Sequence, residues 1–98
     1  MTPVGFSGEV WIAPGDGAWH FVTVPEEQAE IIRLESGPRV GFGSVKVEAT
    51  VGSSTWSTSV FPDTKLTYLL PLKKSVRHAE GILAGDTIDV RLTLVAVP

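Results

Sequence analysis

The sequence has no cysteine and only one methionine and one tyrosine in 98 residues. Without thiols it can form neither a disulfide nor a thiolate metal site, so packing and hydrogen bonding must hold it together. Long hydrophobic runs are missing too. No stretch approaches the ~20 apolar residues that cross a bilayer. The opening "MTPVGFSGEV" shows no basic segment followed by an apolar core, so no secretory leader is expected. Charge is sparse: 8 Lys and Arg stand against 11 Asp and Glu, a net charge of −3. That balance offers no general attraction to nucleic acid. These absences predict a cytoplasmic chain with no membrane partner, folded as a single domain over residues 1–98. A chain of this length buries roughly 60–65% of its unfolded surface, enough for one modest core.

What is present reads mainly as strand. "VGFSGEVWIA" and "AWHFVTV" flank "PGDG", and Asp16-Gly17 is a turn signal because Gly accepts positive φ. The expected hairpin pairs Phe6–Ala13 with Ala18–Val24. "SVKVEATV" alternates, with Val45, Val47, Ala49 and Val51 on one face, as a half-buried strand does. "TWSTSVF" and "KLTYLL" are further strands. The last strand, "DTIDVRLTLVAV", turns Ile88, Val90, Leu92 and Leu94 inward. Two segments read as short helices. "PEEQAEIIRLESGP" has Pro25 at a helix start, Glu26 and Glu27 in the first turn, Ala29 and Ile32 on one face and Gly37-Pro38 as a stop. In "PLKKSVRHAEG" an apolar stripe of Leu72, Val76 and Ala79 ends at a Gly81 cap.

The two halves repeat one another. Each has a strand ending in apolar-Pro, a helix ending in β-branched-Arg, then Gly and an alternating strand. "VPEEQAEIIR … GSVKVEATV" answers "LPLKKSVR … GDTIDVRLTLV". The expected fold is therefore all-β: a small closed barrel of about six strands with two short helices, internally pseudo-symmetric.

The blocks "WHFVTVP", "RVGFGSVKVEATVG", "WSTSVFP" and "YLLPLKKSVRHAEGILAGD" occur in this order. Over about Phe6 to Leu94 they resemble the bacterial family catalogued as domain of unknown function 1905. The resemblance implies a closed barrel of the double-split type, related in fold to the swapped-hairpin AbrB-like transcription factors, and it implies no known reaction. Some members carry a second, helical domain, whereas this chain ends with its last strand and reads as stand-alone. The family often has a further basic residue after the helix arginine, where His78 stands here.

Candidate chemistry is thin. "GPRVGFGS" lacks phosphate-loop spacing and runs into a strand. Ser53, Ser54, Ser57 and Ser59 lie in no nucleophile elbow. His20 and His78 are the only imidazoles, and no spacing ties either to a triad or a metal set. No catalytic residue, metal ligand or cofactor is therefore assigned. The eight aromatics are interleaved mainly with Ser, Thr and Gly, which favours barrel core plus a few strand-edge contacts over a base-stacking platform.

On the second helix Lys73, Lys74, Arg77 and His78 share the outer and lateral arc with Glu80. The Lys73/Arg77 and Lys74/His78 pairs put like charges four apart, at a cost of ~0.2–0.5 kcal/mol each when both are charged. Aligning Ile32-Arg33 with Val76-Arg77 gives the arginine to both halves, so Arg33 and Arg77 read as structural, with Asp86 or backbone carbonyls as partners for Arg77. Lys74 aligns with Glu30, so the fold itself demands no cation there. Lys73, Lys74 and His78 remain as a candidate anion patch. The preferred reading is a monomeric, non-enzymatic module that binds a small ligand or a protein. A nucleic-acid role by fold analogy ranks second and a small hydrolase third.

Overall fold

The computed structural model describes residues 3–15, 17–36, 43–63 and 67–95. The order along the chain is β1 (Val4–Ile12), β2 (His20–Val24), α1 (Glu26–Ser36), β3 (Val45–Val51), β4 (Ser54–Pro62), β5 (Tyr68–Pro71), α2 (Lys74–Glu80) and β6 (Thr87–Leu94). The six strands close a barrel in the order β1-β2-β5-β4-β3-β6, with every neighbouring pair antiparallel. Closure gives every strand a partner on both sides, though among the described residues β4 meets β5 only at Phe61 and Pro62.

The barrel interior is filled by the alternating sets. Val45, Val47, Ala49 and Val51 are buried, as are Val90, Leu92 and Leu94, while Ile88 is half-buried against them. β-Branched side chains suit this pleated surface, and each full burial contributes about 1.5–3 kcal/mol. The expectation that aromatics fill the core holds for Phe6, Trp56 and Tyr68. Trp19 and Phe61 are among those outside the core, exposed on the outer surface of the barrel.

The topology has a two-fold relation between its halves. Exchanging β1 with β4, β2 with β5 and β3 with β6 returns the same strand order. The registers obey it as well. Val10 faces Val22 as Pro62 faces Tyr68, and Phe6 faces Val90 as Thr58 faces Val47. α1 packs on β1 and α2 on β4, which are again related positions. β2 and β5 are antiparallel neighbours, so the helices that follow them lie at opposite ends of the barrel.

Helix α1 starts directly after Pro25, whose carbonyl accepts the Ala29 N–H at 2.8 Å, and it buries Ala29 and Ile32 as expected. The Gly37-Pro38 stop, Asp16 of the turn and most of "GPRVGFGS" lie outside the described residues. Helix α2 is shorter than the apolar stripe predicts. It begins at Lys74, so Leu72 is buried from extended backbone, Val76 is buried from the helix and Ala79 is exposed. The two residues Leu72 and Lys73 intervene between strand and helix, and they shift the inward face. Gly81 caps α2 in the left-handed region at φ +64°, as expected.

Candidate cleft beneath the second helix

β2 enters the barrel at His20, two residues from Val22 and on the same inward side. β5 leaves the barrel beside it, and the Leu72 N–H donates to the His20 carbonyl at 2.9 Å. α2 then turns back over this end. Between them lies a cleft of about 390 Å³. Trp56 and Leu72 supply apolar wall, Ser57 and Thr58 supply hydroxyl-bearing residues, and His20, Lys73, Lys74 and Arg77 supply the nitrogen groups. Among the described lining residues none is acidic.

Arg77 organises the site. Its Nε donates to the Leu72 carbonyl at 3.2 Å, which fixes the guanidinium at the mouth of the barrel. Its Nη1 lies 3.5 Å from His20 Nε2, at the long limit of a hydrogen bond. A guanidinium only donates, so His20 Nε2 faces it as the acceptor. The proton is then on Nδ1, which lies 2.7 Å from the Ala18 carbonyl and donates to it. Ala18 itself holds φ at +49°, a left-handed backbone that costs a residue with a Cβ about 1–2 kcal/mol. That turn aims its carbonyl at His20.

The two-fold relation explains why the cations collect here. In α1 the guanidinium of Arg33 is ion-paired with Glu30, one turn back. The matching residue in α2 is Lys74, so Arg77 has no carboxylate in the corresponding place. β4 contributes a second asymmetry. Thr58 stands where the other half has Phe6, and the smaller side chain leaves room beside Trp56.

The six residues singled out from sequence thus fall in different settings. Lys73 and Lys74 are exposed on the rim of the cleft, Lys73 as the N-cap residue and Lys74 as the first residue of α2. His78 is exposed on α2 and does not line the cleft. Arg33 sits in α1 against Glu30, at the far end of the barrel. Arg77 bonds a backbone carbonyl, one of its two expected partners, but it also lines the cleft. Asp86 accepts the Leu83 N–H at 2.9 Å and closes the turn before β6. Sequence reasoning placed Glu80 on the outward arc. It instead turns to the β3–β4 hairpin, where its carboxylate accepts from Ser54 Oγ at 2.6 Å and from the Ser53 N–H at 3.4 Å. His20, Trp19 and Trp56 were missed as site residues because they lie far along the chain from Lys73, Lys74 and Arg77. The signal that was present is the substitution of Lys74 for Glu30 between the repeats.

Fold and cleft define a class: a small closed antiparallel β-barrel with a basic, part-apolar cleft at one end. The chain matches the family described as domain of unknown function 1905 over residues 6–92, and it belongs to that family. No curated protein matches it. Among the described residues no helix is long and apolar enough to cross a membrane, and no group of acidic residues and histidines is placed to hold a metal.

Proposed function

We propose that the chain is a non-enzymatic binding module whose cleft beneath α2 takes a small ligand through a carboxylate or phosphate. The observation that carries this reading is Arg77, held at the barrel mouth by the Leu72 carbonyl with Lys74 in place of a carboxylate partner. A guanidinium matches a planar or tetrahedral oxyanion with two parallel donors, and these charge-assisted bonds are the strong ones. Lys73 and Lys74 add positive charge at the rim, and Trp56 with Leu72 shields the contact from water. His78 drops out of this set, since it lies away from the cleft.

Both ring nitrogens of His20 have partners, Ala18 on one side and Arg77 on the other. That arrangement orients the guanidinium, and it leaves no nitrogen to take a proton from Ser57. It supports binding over hydrolysis. A double-split barrel of the AbrB-like kind, a bacterial cytoplasmic setting and a monomeric state complete the proposal. Three cations on a chain of net charge −3 fall short of a groove that tracks nucleic-acid phosphates.

Calorimetric titration with benzoate and with inorganic phosphate tests the reading. The native chain should bind at least one of them saturably, and Arg77→Gln should weaken that binding about tenfold, the loss of one charge-assisted pair. Absent binding of both anions, binding indifferent to Arg77→Gln, or turnover of an ester or phosphate panel would overturn it.

A further inference from the structure

The cleft does not end at its own rim. A second, shallow groove of about 430 Å³ lies on the outside of the barrel and shares Trp19 and Pro71 with it. The remaining walls of the groove are Ala13, Phe21, Phe61 and Leu69. Register explains why these residues meet. Phe21 faces Pro71 across β2–β5, and Leu69 faces Phe61 across β4–β5, all pointing outward. Among the described residues that line the groove none is charged.

Trp19 stands where the two spaces join, and it is held there although 63% exposed. Its ring stacks on Phe21, with centroids 6.4 Å apart and planes at 16°. Phe21 in turn rests on Trp11 at 5.2 Å. The pyrrole atoms Cδ1 and Nε1 of the indole run so close to Gly17 that even a single added carbon there would collide with them. An exposed indole supported in this way presents a fixed planar face beside three cationic side chains.

We infer that the ligand of the cleft is an anion carried on a planar aromatic body, with the body lying on Trp19 and reaching onto the outer band. This rests on the oxyanion reading above and names the rest of the molecule. The shape of the band favours a ring over an alkyl chain. A chain gains most from an enclosing tunnel, whereas this groove is open and carries the aromatic faces of Trp19, Phe21 and Phe61, on which a ring gains by stacking. Charge complementarity sets the polarity: the acid group points to Arg77 and the ring away from it.

The test compares 2-naphthoate, benzoate, octanoate and 2-naphthol by NMR-detected titration of the native chain, Trp19→Ala and Arg77→Gln. Trp19 is exposed and outside the core, so its removal leaves the fold intact, which the amide spectrum verifies. For the native chain 2-naphthoate should bind about tenfold tighter than benzoate, octanoate or 2-naphthol, the worth of one stacked ring. In Trp19→Ala that advantage over benzoate should vanish, with 2-naphthoate losing more affinity than benzoate. Arg77→Gln should weaken both acids. If octanoate equals 2-naphthoate, or Trp19→Ala leaves the naphthoate advantage unchanged, the aromatic-ligand inference fails while the oxyanion site stands. If none of the acids binds, the aromatic-ligand inference fails, and the oxyanion reading fails with it when inorganic phosphate goes unbound as well. A dimer in solution that covers Trp19 would also overturn the inference.

Discussion

Gly52 and Glu80 are interlocked. Gly52 sits in the β3–β4 hairpin at φ +59°, and its Cα hydrogens face the Glu80 carboxylate so closely that a Cβ would overlap Oε1. The glycine thus serves two needs at once: a left-handed turn, and room for the carboxylate that ties α2 to the hairpin through Ser53 and Ser54. Gly52→Ala should lower unfolding stability by about 2 kcal/mol, one part from the left-handed backbone and one from the displaced carboxylate. In a Glu80→Ala background the same change should cost only about 1 kcal/mol, since the backbone part alone remains. Urea denaturation of the four chains measures the difference, and equal costs in both backgrounds would show that the two residues are not coupled. Nothing in the sequence marks Glu80 for this role. Its helical position predicted solvent, and only the way α2 lies on β4 brings the hairpin to it.

At the scale of elements, the two helices are variations on one piece. α1 keeps its arginine against Glu30, and α2 offers Lys74 in the same position. Lys74→Glu should therefore convert α2 toward α1. The new carboxylate pairs with Arg77, and melting should show stability unchanged or raised by about 0.3–0.5 kcal/mol. Benzoate affinity should fall in the same variant. A protein that keeps its affinity, or loses substantial stability, would show that Lys74 does not set the state of Arg77. The strands, α1 and the inward sets of β3 and β6 were legible because period-two alternation and the Pro25 start act locally. The true start of α2 was not. Leu72 is apolar at a spacing a helix would use, yet it is buried from extended backbone, because the β5 ladder continues to the His20 carbonyl.

For the whole molecule, closure of six strands within one chain gives a barrel with two related ends. The repeat in the sequence foretold this symmetry, and the proposed site lies where the halves differ. Lys74 for Glu30 was visible in the alignment of the repeats. Thr58 for Phe6 was not, because β1 and β4 lack a shared motif and are matched only by strand register. His20 was legible as an imidazole on a strand, but its neighbour Arg77 lies 57 residues away and reaches it only after the barrel closes.

The central claim is that one end of a two-fold barrel carries an oxyanion site and the other does not. The most direct measurement is a ¹H–¹⁵N NMR titration of the native chain with benzoate, following every amide and the arginine Nε–H groups. Saturable shifts should appear at His20, Ser57, Thr58, Leu72 to Lys74 and the Arg77 side chain, and should be absent around Arg33 and α1. Shifts of equal size at both ends, or none that saturates near Arg77, would contradict the account.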